Sequence, residues 1–202
     1  MTQDDRPPKR RVVIAEDEAL IRLDLKEMLE EEGYVVVAEA ADGEQAVALT
    51  EEHRPDLVVL DVKMPRLDGI SAAERIAAAR LAPVVVLTAF SQRELVERAR
   101  DAGAMAYLVK PFTKADLMPA LEMAMARFDE LTTLEAEVGD LRERLETRKL
   151  VDRAKGLLQT HHGLDEAAAY RFLQRAAMDQ RSTMRVTAER VIADPAVAST
   201  PP

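Results

Sequence analysis

Four apolar runs in this 202-residue chain end on groups that can do chemistry. "RVVIA" runs into Glu16 and Asp17, "LVVL" into Asp61, "PVVVL" into Thr88, and "AYLV" into Lys110 with Pro111 behind it. Carboxylates gathered in one place repel one another. A hard divalent cation resolves that repulsion, and Mg²⁺ accepts a few carboxylates, a carbonyl oxygen and water. A carboxylate can then attack phosphorus and form an aspartyl phosphate, with the metal neutralising the phosphoryl oxygens. A lysine adds a second positive charge, and a threonine hydroxyl can donate to a phosphoryl oxygen. Each residue alone has a plainer reading: Asp61 satisfies a turn, Lys110 is a solvated charge, and Thr88 reflects β-propensity. Four complementary strand ends together favour the chemical reading.

The surrounding elements must bring those ends together. Residues 11–127 alternate β-rich runs with helical patterns, five pairs in all. The strands are "RVVIA", "YVVVAEA", "DLVVLD", "PVVVLTA" and "AMAYLVK". Each crossover is long enough for a parallel connection, and near-continuous apolar strands fit a sheet covered on both faces. The expectation is a doubly wound α/β domain with a five-stranded parallel sheet. The carboxyl ends of its strands share one rim, where ligands bind as the winding reverses.

After Phe128 the pattern changes. Leu131, Leu134, Val138, Leu141 and Leu145 recur at alternating spacings of three and four, a short coiled-coil-like seam over 128–147. It can pair with a second copy or pack on the chain's own C-terminal helices. Residues 148–192 hold further helical patterns, with Asp165 and then Ser182 or Thr183 as caps. Residues 193–202, "ADPAVASTPP", read as a disordered tail.

Charge divides the chain in the same place. Residues 1–147 carry 19 Lys/Arg against 31 Asp/Glu, whereas 148–192 carry 9 against 5. A basic segment on an acidic protein of net charge −9 points to an anionic partner, or else to a solvated helical face. There is no cysteine, which excludes disulfides and thiolate metal sites. No apolar leader or membrane-length run is present, so the expected location is the cytoplasm.

The motifs "AEDE", "LDVKMPRLDG", "LTAF" and "YLVKPF" resemble, in order, the receiver domain of two-component response regulators. The resemblance covers 11–127 and implies a flavodoxin-like fold with Mg²⁺ as cofactor. It also implies roles for the residues. Asp61 is the phosphoacceptor and, with Asp17, a direct metal ligand, and Glu16 a ligand through water, where the family often has Asp. The Lys63 carbonyl completes the metal ligands. Thr88 and Tyr107 form the switch, Lys110 pairs with the phosphate, and Pro111 matches a cis position. A sensor histidine kinase is the implied phosphodonor.

The stretch "RKLVDRAKGLLQTHHGLDEAAAYRFLQRAAMDQRSTM" resembles the ANTAR output domain. ANTAR domains are three-helix modules that bind RNA stem-loops as dimers and act in transcription antitermination. The implied organisation is a receiver (11–127), a helical linker (128–147) and an ANTAR module (148–192), with a homodimer forming on activation. Lys155, Arg181 and Arg185 are the candidate RNA contacts, from charge and motif position. Thr187 stands where the family pattern has an apolar residue, and its hydroxyl is expected to loosen the third helix. No enzymatic output is expected beyond the receiver's own phosphorylation and dephosphorylation. The competing readings are a DNA-binding regulator, with the last helices as a helix-turn-helix, and a protein-interaction module that uses the seam.

Overall fold

A computed structural model describes residues 9–89 and 93–194. Five strands form one parallel sheet: β1 (Arg11–Ala15), β2 (Val35–Ala40), β3 (Leu57–Asp61), β4 (Val84–Thr88) and β5 (Ala106–Val109). The order is β2-β1-β3-β4-β5, so the winding reverses between β1 and β3. The helices between them are α1 (Ala19–Glu31), α2 (Gly43–His53), α3 (Gly69–Ala78) and α4 (Arg93–Asp101). Leu25 and Leu29 of α1 pack on one face of the sheet with Leu117, Leu121 and Ala124, which follow β5. Ala46 of α2 and Ala72, Ala73 and Ile76 of α3 pack on the other. The central strands β3 and β4 are buried at every position, which explains their unbroken apolar runs.

Two corners depend on glycine. A Cβ on Gly69 would lie 1.9 Å from the carbonyl oxygen of Asp61, and one on Gly43 would lie 2.3 Å from that of Leu67. The preceding residues, Asp42 and Asp68, cap α2 and α3 by accepting from backbone amides of the first turn. The repeated Asp-Gly therefore combines a helix cap with a close backbone approach. Four arginines, Arg54, Arg66, Arg80 and Arg181, adopt left-handed backbone conformations with φ between 45° and 66°.

After β5 a single helix, α5, runs from Lys114 to His162, 49 residues. It includes the stretch expected as a linker. The seam residues Leu131, Leu134, Val138, Leu141 and Leu145 are all 45–63% exposed, so they do not pack on the chain's own C-terminal helices. The chain divides at Thr132/Thr133 into two compact units. The second unit also contains α6 (Glu166–Asp179) and α7 (Met184–Ala193). Its core joins Val151, Ala154 and Leu158 to Ala169, Leu173, Ala188 and Val191. Asp165 caps α6 and Thr183 caps α7. The hydroxyl of buried Thr187 donates to the Thr183 carbonyl at 3.0 Å, which satisfies it inside α7, a back-bond of the kind that slightly weakens a helix. The expected tail lies outside the described residues apart from Ala193 and Asp194. Among the described residues no helix is long and apolar enough to cross a membrane.

Candidate functional site

Sheet register assembles the site. Ala15 pairs with Leu60, so Glu16 follows β1 beside Asp61 at the end of β3. Thr88 pairs with Val109, so Lys110 emerges one residue beyond it. Carboxylate oxygens of Glu16, Asp17 and Asp61 lie within 4.8 Å of one another. Glu16 and Asp61 are buried at 1% and 5% exposure, while Asp17 faces solvent. Lys110 answers this charge from the far side: its Nζ lies 2.5 Å from Glu16 Oε2 and 2.5 Å from Asp61 Oδ1.

Burial pushes the Glu16 carboxyl above its ordinary value, and the Asp61 charge adds to that against the hydrogen bond from Lys110. Burial alone would lower the Lys110 ammonium, but its contacts to Asp61 and Glu16 outweigh this and raise it. The lysine is therefore firmly charged and the acids crowded. An all-oxygen set that is partly open to water has the chemistry of a hard divalent cation site. Glu16, Asp17 and Asp61 fit Mg²⁺ on these grounds.

The loop after β3 is braced at several points. The Lys63 amide donates to Asp61 Oδ2 at 2.7 Å. Val62 N donates to the Leu87 carbonyl and Gly69 N to the Val62 carbonyl, both at 2.9 Å. Gly43 N donates to the Leu67 carbonyl at 3.1 Å, and the Arg66 guanidinium binds the fully buried Asp42 carboxylate. Arg22 holds the Glu16 carbonyl oxygen at 2.5 Å from α1. Sequence reading missed Asp42, Arg66 and Arg22; the repeated Asp-Gly was the available signal for the corner. Lys63, Asp17, Asp68 and Arg98 line a cleft of about 460 Å³ over the site. Burial opposes the charge of Asp68, but the amide and hydroxyl of Ser71 and the amide of Ile70 hold its carboxyl below the ordinary value.

Thr88 is buried at the end of β4, and Tyr107 of β5 is 48% exposed. Both line one small recess with Val62, Val86 and Val96. The Lys110–Pro111 peptide is cis.

The expected RNA contacts fare differently. Lys155 is held by Asp152 at 2.8 Å and Glu166 at 2.9 Å, its side chain only 16% exposed. Arg185 pairs with Glu189 at 3.1 Å, one turn along α7. Arg181 sits exposed in the turn between α6 and α7 and has no carboxylate partner among the described residues.

Comparison with known proteins agrees with these features. Residues 12–122 match the response regulator receiver domain, and residues 139–192 match the ANTAR domain. The transcriptional regulatory protein PdtaR of Mycobacterium tuberculosis is 67% identical over 191 residues, spanning 95% of this chain and 93% of that protein. The chemotaxis protein CheY of Bacillus subtilis is 39% identical over 119 residues, 57% of this chain and 97% of that protein. Among solved structures, the receiver domain of a sensor histidine kinase from Pseudomonas aeruginosa PAO1 carries a magnesium ion in its active-site cleft. It superposes with a TM-score of 0.53 at 34% identity, covering 58% of this chain and 98% of that one.

Proposed function

The chain belongs to the response regulators that join a receiver domain to an ANTAR domain, and from that membership we propose a phosphorylation-switched regulator that binds RNA stem-loops and acts in transcription antitermination. The observation that carries the switch is the set of Glu16, Asp17 and Asp61 closed by Lys110.

Asp61 is the phosphoacceptor. Its Oδ2 is oriented by the Lys63 amide, and its other oxygen attacks the phosphorus of a phosphohistidine on a sensor kinase. The phosphorus–nitrogen bond breaks and the imidazole leaves. Mg²⁺, when bound, neutralises charge on the transferring phosphoryl group. Asp17, Asp61 and the Lys63 carbonyl would hold it directly, and Glu16 would do so through water. Lys110 exchanges a carboxylate oxygen for a phosphoryl oxygen. Thr88 donates its hydroxyl to the new phosphate, and Tyr107 repacks in the recess that both residues line. The chain turns over a phosphoryl group on Asp61 and acts in the cytoplasm.

The exposed seam of α5 provides the surface on which two copies pair, and pairing two output modules raises avidity for a two-loop RNA. Arg181 and Arg185 contact phosphates. Lys155 reaches RNA only by leaving Asp152 and Glu166.

A filter-binding titration against paired stem-loop RNAs and against duplex DNA of matched length tests this reading. Acetyl phosphate and Mg²⁺ are added or withheld at fixed salt, with Asp61→Asn as control. Tighter RNA binding on phosphorylation is expected, absent for DNA and lost in the variant. Equal weak binding to both nucleic acids removes the RNA assignment, and preference for the duplex favours a DNA-binding regulator.

A further inference from the structure

Two aromatic residues stand two positions apart in α6 and meet opposite fates. Phe172 packs against the three-helix core, whereas Tyr170 is 48% exposed. Helical phase accounts for the difference. Ala169, Leu173 and Ala177 form the buried row at i, i+4, i+8. Tyr170, Gln174 and Met178 form a second row of the same spacing that faces solvent, with Met178 73% exposed. Arg171 and Arg175 form a third exposed row beside it, and neither has a carboxylate partner among the described residues. The acids of α6, Glu166 and Asp179, stand at its two ends, and Glu166 is held by Lys155. The middle of the outer face thus carries positive charge, an aromatic ring, an amide and a thioether, with no negative charge between them.

We propose that this outer face of α6, centred on Tyr170, is the RNA-reading surface of the output module. Tyr170 stacks on an unpaired loop base, Gln174 hydrogen-bonds a base edge, and Arg171 and Arg175 contact the flanking phosphates. The assignment rests on the RNA reading given above and locates it on residues that motif position did not single out. Charge complementarity selects the occupant: two arginines lacking acidic partners suit a polyanion, and an exposed ring beside them suits a splayed base. A regular duplex offers no such base to the ring.

The test uses the full-length phosphorylated protein and a pool of stem-loop RNAs with randomised loops. The loops that wild type enriches are titrated against Tyr170→Ala, Tyr170→Phe and the double variant Arg171→Gln/Arg175→Gln. Tyr170→Ala is expected to weaken binding roughly tenfold or more, and Tyr170→Phe to restore it, because the ring and not the hydroxyl stacks. The double variant is expected to reduce the salt dependence by roughly one unit of log–log slope per arginine. All these side chains are exposed, so circular dichroism of the variants should match wild type. Enriched loops that bind every variant equally overturn the assignment of this face and leave RNA binding itself standing. Failure of wild type to enrich any loop removes the RNA reading and this face with it.

Discussion

Replacing Gly69 with alanine tests whether the loop after β3 positions Asp61, the proposed phosphoacceptor. The added Cβ would lie 1.9 Å from the Asp61 carbonyl oxygen, 2.8 Å from its carbon and 3.2 Å from Val62 Cα. Ordinary contact begins at 3.4 Å, so the oxygen must retreat by 3.4 − 1.9 = 1.5 Å. Every atom struck is backbone, and no side chain can swing aside. The retreat opposes the pairing of Asp61 with Leu87 and the bond from Gly69 N to the Val62 carbonyl. Overpacking costs about 1–3 kcal/mol and one lost hydrogen bond about 1 kcal/mol, so a loss of about 2–4 kcal/mol is expected. Phosphorylation should suffer more than stability, because a displacement of this size exceeds the roughly 0.5 Å that a catalytic constellation tolerates. Urea unfolding followed by circular dichroism measures the first effect. Incorporation from acetyl phosphate with Mg²⁺, followed on phosphate-affinity gels, measures the second. The internal control is Gly139→Ala, where no atom lies within 4 Å of the built Cβ; that change should stabilise α5 by about 0.5–1 kcal/mol. A Gly69→Ala protein with the wild-type urea midpoint and phosphorylation rate would refute the reasoning.

Lys110→Ala leaves Glu16 and Asp61 buried and unpaired, and should cost about 3 kcal/mol at neutral pH. Because the native Glu16 carboxyl is already raised above its ordinary value, acidification through that raised value should shrink the deficit, and added Mg²⁺ should do the same; urea midpoints across pH decide. The Asp68 carboxyl is held below its ordinary 3.8, so the unfolded chain takes up its proton first. Its contribution is present above pH 3.8 and is lost as pH falls through the lower native value. The stability gap between wild type and Asp68→Asn, about 1 kcal/mol at most, should therefore close in acid; a gap that persists there contradicts the cap. Thr187→Val should change stability by less than about 1 kcal/mol, since the Thr183 carbonyl keeps its bond from the Thr187 amide; a larger loss in thermal unfolding would give the hydroxyl a structural role.

The strand ends were legible because a buried parallel strand announces itself as an apolar run, and the polar residue that closes it must lie on the rim. The brace of Asp42 by Arg66 was not legible, since it joins two corners separated by 24 residues that only the sheet brings together. Periodicity located the seam of α5 without showing what covers it; exposure decided against the chain's own helices. Charge and motif position nominated Lys155, yet the turn into α6 returns Glu166 to it across 11 residues. The i, i+4 spacing of Arg171 and Arg175 puts them on one helix face in the sequence, but only the burial of Ala169, Leu173 and Ala177 shows that this face of α6 points outward.

The left-handed arginines have a consequence for how this chain trades stability against use. A non-glycine residue in that conformation costs about 1–2 kcal/mol, which glycine would relieve at each of these turns. Arg66 returns something for the strain, because its guanidinium neutralises Asp42. Arg181 has no such return within the described residues. A chain selected for stability alone would drift to glycine at this turn, so under the proposed RNA reading thermal tolerance and ligand affinity pull in opposite directions at Arg181. Engineering for heat resistance would find Arg181→Gly early, and on the proposed RNA reading it would lose a phosphate contact by accepting it.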